Sequence, residues 1–295
     1  MNKYILLLLA LLCGEVTLAQ YAYFGTKGKI TFDKITYTRA RMRDMMSNME
    51  QRAPGRRGGD IVVGMGMMGG DIERFPESST QQFELYFDDD QTLLLHVETE
   101  GQNTSGQGAT MRMNNNRGGR GGSGGGGRGN NVPRTNMRNA NAQKVIYQNI
   151  KKSTSEVQVT IDETYILSDS LNDITWRFTD EYRNIAGYDC RRVNGATKDS
   201  LYLIAFYTDQ IPVSAGPAMV HGLPGMVLGL VIPEMHIHYW ATSVAYTNDP
   251  IPNNWKEKKS STMSLDEFSG LFGRYFQRGG NNDSFRRRIL EQLIY

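Results

Sequence analysis

From Lys144 onward, apolar and polar residues alternate in short runs separated by turn residues, at a spacing of about ten. The runs are KVIYQNI, EVQVTIDETYILSDS, ITWRFTDEYRNIAGYDCRRVNGA, SLYLIAFYTDQIP, GMVLGLVI and MHIHYWATSVAYT. No helical period intervenes, so the pattern predicts an antiparallel sheet and not βαβ units. Upstream, Gly28–Arg39 (GKITFDKITYTR) reads as one strand kinked near Asp33. Phe83, Leu85 and Phe87 alternate, Asp88 to Asp90 turn, and Leu93, Leu95 and Val97 alternate back, which predicts a hairpin. Two segments carry the helical period instead. Met42, Met45, Met46 and Met49 form a one-sided stripe on a short helix. Such a stripe packs on a sheet, and methionine also suits soft metals and adaptable surfaces. Near the end, Ser264 and Glu267 form a capping box. Leu265, Phe268, Leu271, Phe272, Tyr275 and Phe276 then mark the apolar face of a helix over Leu265–Gln277, and Ser284–Leu293 reads as a second short helix. The expected fold is mainly β with a C-terminal helix: a curved antiparallel sheet or half-barrel.

Two stretches carry too little apolar material for a core. Residues 52–72 are rich in glycine and methionine, and Gly101–Ala142 is built from Gly, Asn and Arg. Both are expected as flexible insertions in one domain spanning 20–295. The first residues have the form of a secretory signal peptide. Lys3 is the positive start, Tyr4–Leu12 the apolar run, and Thr17-Leu18-Ala19 the cleavage signal, giving 1–19 as the leader. The run falls short of the roughly 20 residues that span a bilayer, and no later segment reaches that length without glycine, proline or histidine. The expected location is therefore outside the cytoplasm: periplasmic, outer-membrane-associated or extracellular.

Export changes how the charge and the cysteines are read. The chain holds 33 Lys+Arg against 31 Asp+Glu, a net +2. Gly101–Ala142 contributes six arginines and no acid, so the rest of the mature chain is mildly acidic. Its RGG spacing is an RNA-binding composition, but an exported chain leaves RNA behind, and no nucleic-acid partner is expected. Of two cysteines, Cys13 departs with the leader and Cys190 has no partner for a disulfide. The core must hold the fold without a crosslink.

Ala215–Leu230 (AGPAMVHGLPGMVLGL) raises the first question of chemistry. It is no phosphate loop: Gly222, Gly225 and Gly229 lack the following lysine and hydroxyl, and Pro224 breaks a dinucleotide spacing. Gly216-Pro217 and Gly222-Leu223-Pro224-Gly225 suit tight turns, with Gly225 at positive φ in a type II turn begun at Leu223. Gly229 suits a bulge or a close backbone approach within a buried strand. The chain has four histidines. His236 and His238, two apart on an expected strand, share a face and could chelate zinc or copper, with Glu234 and His221 completing the set. A polar, solvated strand face is the simpler reading of the same pattern. Tyr202, Phe206, Tyr207, Tyr239 and Trp240 lie on neighbouring strands, where they pack a core or line a groove for peptide or lipid. Asp88–Asp90 lack the spacing of an EF-hand, and no G-x-S-x-G or paired catalytic carboxylates stand out. Cys190 has Arg191 and Arg192 beside it but no base in its neighbourhood. No cofactor and no catalytic residue is expected.

GLPGMVL (Gly222–Leu228), preceded by YTDQIPVSAGP, resembles the signature of the GLPGLI family of exported bacterial proteins. An upstream Ile185, Gly187, Tyr188, Cys190 pattern, the ITW before it and the FYTDQIP after it also fit. Met226 stands where the family has leucine. The resemblance covers Lys144–Tyr246 and implies a structural corner at the glycine stretch and a buried, inert Cys190. It brings no established activity. By analogy, its strand pattern is similar to lipoprotein-carrier folds, large curved sheets covered by helices. The expected function is that of a non-enzymatic binding or assembly partner for a peptide, lipid or outer-membrane protein. Metal binding through His236 and His238 is the alternative.

Overall fold

The computed structural model describes residues 25–51, 72–97, 144–160, 163–171, 173–257, 259–276 and 295. The expected leader at 1–19, the insertion at 101–142 and the helix at 284–293 lie outside the described residues, as does the insertion at 52–72 apart from Ile72.

Twelve strands form one open sheet. In chain order they are β1 (Lys27–Thr36), β2 (Ser79–Asp88), β3 (Gln91–Val97), β4 (Val145–Asn149), β5 (Thr154–Thr160), β6 (Thr164–Ser170), β7 (Ile174–Ile185), β8 (Tyr188–Thr197), β9 (Tyr202–Thr208), β10 (Met226–Ile232), β11 (Ile237–Tyr246) and β12 (Ser260–Met263). Across the sheet the order is β12-β6-β5-β4-β3-β2-β1-β11-β10-β9-β8-β7. Helix α1 (Thr38–Gln51) follows β1, and helix α2 (Leu265–Phe276) follows β12.

The order itself demands curvature. β6 is second in the sheet and β7 is last, yet only residues 171–173 separate them in the chain. In a flat sheet, ten spacings of about 4.8 Å would hold them roughly 48 Å apart. The four residue steps from Ser170 to Ile174 reach at most about 14 Å. The sheet therefore curls until its two ends approach each other, without closing into a barrel.

Alternation sets which residues line the inside of the curl. In β1, Gly28, Ile30, Phe32 and Lys34 are buried, while Lys29, Thr31 and Asp33 are half-exposed. Register carries that inner row across the sheet: Phe32 lies between Phe83 and Ala241, and Lys34 opposite Tyr239. The strand expected to kink near Asp33 has its irregularity one step earlier, between Thr31 and Phe32, where its register with β11 shifts. Phe32 and Phe83 are fully buried, and each contributes about 2–3 kcal/mol of hydrophobic stabilisation.

The covers differ on the two faces. Inside, the segment between β9 and β10 packs on the sheet: Gln148 of β4 donates to the Ala218 carbonyl at 3.0 Å, and Trp176 of β7 donates to the His221 carbonyl at 3.0 Å. One loop thus touches strands far apart in the sheet order, which only a curled sheet allows. Outside, the connection between β11 and β12 crosses β4 to β6. Trp255 stacks on Tyr147 at 5.5 Å, Lys256 pairs with Glu156, and the Glu257 amide donates to Gln158 at 3.1 Å. The chain arrives beside β6 after this crossing, and β12 there runs parallel to it, the one exception to antiparallel pairing among the described strands.

Helix α2 begins as its capping box requires. The Ser264 hydroxyl accepts from the Glu267 amide at 3.2 Å, and Glu267 accepts from the Ser264 amide at 2.9 Å. Phe268 is buried edge-on to Tyr165, ring centres 5.4 Å apart. Ser264→Ala is expected to cost about 1 kcal/mol, read as a small drop in urea midpoint at unchanged m-value. Helix α1 extends beyond its methionine stripe at both ends. Of the four methionines only Met42 has a described side chain, and it is half-buried.

Candidate functional site

The glycine stretch is the corner that its sequence promises, by a different device. Ala218 and Gly222 take the left-handed turns, at φ 59° and 86°, and Gly225 does not. Gly225 is needed because the Thr208 carbonyl oxygen lies 2.0 Å from where its Cβ would stand. Main-chain bonds close the corner: Met226 donates to Ile211 at 3.0 Å and Val227 to Ala215 at 2.8 Å. Val227 also lies against Gly216, 2.6 Å from the place of its missing Cβ, beside buried Pro217. Leu223 is buried beneath the turn and Pro224 is exposed. Gly229 does both things its position suggests: β10 shifts register against β9 there, and the Trp240 ring comes within 2.6 Å of its missing Cβ.

The structure separates the histidines. Glu234 sits in a single helical turn, Pro233–Met235, and His236 ends that turn at φ 54° instead of lying in β11. This corrects the expectation of two histidines on one strand face. The proline that opens the turn and the left-handed His236 re-aim its ring, which meets Asp44 of α1 at 2.7 Å. His238 lies edge-on to Tyr37 at 4.8 Å and to Trp240 at 6.2 Å. Burial, with the charge of His236 added, holds its pKa below the ordinary histidine value. The Nδ1 of His221 lies 3.2 Å from the Met219 carbonyl. Among the described residues, no three His, Cys, Asp or Glu side chains gather as a metal ion needs.

The five aromatic groove candidates divide between faces. Tyr239 and Tyr207 are buried inside, and Phe206, Trp240 and Tyr202 lie outside. Phe206 and Trp240 flank Gly229, with ring centres 5.6 Å apart, and the Arg183 guanidinium covers Trp240 at 4.4 Å. Tyr202 is exposed. They make two surfaces and not one groove. Cys190 is buried, and desolvation with the Asp189 charge pushes its thiol up to about 12. A thiol so held is a poor nucleophile.

A feature with no motif lies inside the curl, where β1 and β3 end and β4 and β11 begin. Lys34 and Lys144 are both buried there. The Lys34 ammonium lies over the rings of Phe83 at 5.7 Å and Tyr239 at 5.5 Å. Burial, then the Arg41 charge from α1, lower its pKa to about 8. Lys144 Nζ has no hydrogen-bond partner among the described residues. Burial, then the charge of Lys34, drive its pKa well below the lysine range. The Tyr239 hydroxyl donates to the main-chain oxygen of Tyr295 at 2.5 Å. The sequence does hold a signal: Lys34 continues the inward row of Gly28, Ile30 and Phe32, and Lys144 precedes inward Ile146 and Gln148 by the same period.

Residues 193–229, from β8 into β10, match the model of a family described as a protein of unknown function, Porph_ging. The matched span takes in the glycine stretch as far as Gly229 but not Cys190. No curated protein matches the chain. Two solved structures of PNGF-II, in the C2 and P21 space groups, resemble it at TM-scores of 0.47 and 0.45 and 14% identity. Each similarity takes in 83% of this chain, which spans only 32% and 33% of those longer chains.

Proposed function

We propose that this chain is an exported protein of the GLPGLI type and acts in the cell envelope as a non-enzymatic assembly partner. One observation supports that role above others. β7 is a twelve-residue strand at the end of the sheet, paired on one side only among the described strands. It carries Tyr182 at 66% exposure and Phe178 at 47%. A long edge strand with unpaired main-chain groups is a template for another chain's strand. Exposed aromatic side chains beside it supply the contact area that anchors interfaces. A bulge between Phe178 and Tyr182 breaks the edge into two segments and limits unselective pairing.

The test is affinity capture of tagged protein from cell envelopes. Tyr182→Arg, at an exposed position, should leave the melting temperature within a degree or two while lowering recovery of a captured partner about tenfold. Equal recovery with both proteins would refute the edge as the docking element. The metal reading has no geometric support in the described residues, where Asp44 already engages His236.

A further inference from the structure

We infer that the tip of the β7–β8 hairpin, Arg183–Cys190, is a clasp that lies down on the outer face of β10 and β11 and lifts as a unit about the bulge after Phe178. Along the sheet, four strand spacings of about 4.8 Å, roughly 19 Å in all, separate β7 from β11. Yet the Arg183 guanidinium of β7 lies 4.4 Å from the centre of the Trp240 ring on β11. The Ile185 Cδ1 comes within 3.0 Å of where a Gly229 Cβ would stand on β10. The hydroxyls of Tyr188 and Tyr246 share a hydrogen bond at 3.0 Å. A hairpin folded back across β9 and β10 makes all three contacts at once.

The ladder pairing leaves the tip free to move. β8 pairs with β9 from Arg191 to Ala196 and no further. Among the described strands, the tip pairs only with itself, Arg183 with Cys190 and Ile185 with Tyr188, and it turns through left-handed Ala186 and Gly187 at φ 51° and 88°. Side chains alone hold it to the sheet among the described residues. The pivot, by contrast, is braced: the Thr179 hydroxyl donates to the Arg192 carbonyl at 2.8 Å, and Arg191 donates to the Thr179 carbonyl at 2.7 Å. A fixed hinge below a self-paired tip suits opening as one body. The Ile185, Gly187, Tyr188 and Cys190 pattern then has one purpose. Ile185 seats on Gly229, Gly187 turns the chain, Tyr188 reaches β11, and Cys190, cross-strand from Arg183, is buried on the under-face of the clasp. Exposed Tyr182 stands at its root. With the tip down, β7 bends out of line there, so a strand docking along β7 binds the lifted clasp better, and clasp and docking are coupled. That coupling rests on the docking role proposed above; the clasp itself does not.

Alkylation of the Cys190 thiol by iodoacetamide, read on its own peptide by mass spectrometry, tests the clasp in the purified full chain. Labelling should proceed through clasp opening, so its rate should rise with urea far less steeply than global unfolding does. Tyr246→Phe, which removes one hydroxyl, should speed labelling about fivefold. Arg183→Ala should speed it about threefold, and serves if the first variant is poorly recovered. Both should keep the parent's melting temperature within about a degree or two. A labelling rate that follows global unfolding in urea, or one unmoved by either variant, overturns the clasp. Docking is read separately, by capture from envelopes. Tyr246→Phe, which lies away from the β7 edge, should raise partner recovery by up to the same factor of about five, because the competent state is more populated. Unchanged recovery there, where Tyr182→Arg lowers it, overturns the coupling. Recovery unchanged by Tyr182→Arg refutes the docking role instead, and the labelling result still decides the clasp.

Discussion

Gly225→Val melts far below the parent protein. A Cβ at this position would stand 2.0 Å from the Thr208 carbonyl oxygen and 2.9 Å from the Asp209 Cα. Both are main-chain atoms at the end of β9, so no side chain can swing aside. Either the corner opens or β10 shifts, and β10 is buried along nearly its whole length. Overpacking of this kind costs about 3 kcal/mol, which lowers the melting temperature by roughly 10 °C in a chain of this size. Gly225→Ala should share most of the loss, since the first carbon makes the collision. His221→Ala should be much milder. The His221 main chain does the joining there, accepting from Trp176 and bridging to Ala215, and alanine keeps it. A Gly225→Val protein with the parent's melting temperature would sink this account.

Lys34→Met is expected to be more stable than the parent below pH 8 and equal to it above pH 10.5. Burial lowers the folded-state pKa from 10.5 to about 8. The unfolded chain therefore holds this proton more tightly than the folded one. Below pH 8 the amine is charged in both states, and the folded state bears the full penalty. Between about 8 and 10.5 the folded amine is already neutral, and the penalty fades as the unfolded one loses its proton. The shift corresponds to about 3 kcal/mol. Urea midpoints of parent and variant across this range measure the gap. Cys190 and Tyr239, whose raised pKa values also shape alkaline stability, are present in both proteins and drop out of the difference. A gap that stays constant with pH would mean that folding leaves the Lys34 pKa where it is in the unfolded chain.

The sheet was legible in the sequence because its signal is local. Two-residue alternation in GKITFDKIT or LYLIAFYT needs no distant partner to be read, and the Ser264–Glu267 box announces its helix in four letters. The curl was legible only as an expectation. Its cause is the placement of β6 and β7 at opposite ends of the order, and no window of sequence contains that. β12 escaped because SSTM has no apolar alternation of its own; it is a strand only because β6 offers it an edge. The site was the least legible part. His236 and His238 share a two-residue spacing, but the turn at Pro233–Met235 cancels it. At Gly225 the turn preference is visible in sequence, but the carbonyl arriving from β9 is not. Lys34 and Lys144 were hidden by their type: a lysine in a strand reads as solvated until the register shows which way it faces.

The strand order has a consequence for how the chain acquires its shape. β1 to β6 lie side by side in sequence order, and so do β7 to β11, so most of the sheet consists of two meanders of near neighbours. Among the described strands, pairing joins them only at the β1–β11 seam, which brings together groups as far apart as Thr31 and Thr242, 211 positions along the chain. Each meander can zip from its own hairpins at small entropic cost, whereas the seam must wait for a long search. β1 is made early and β11 late, so β1 spends the interval with one open edge and an apolar inner row awaiting its cover. Substitutions that weaken the seam should speed unfolding and leave the zipping of either meander unchanged, and the same interval is when the young chain is most open to a chaperone or to another copy of itself.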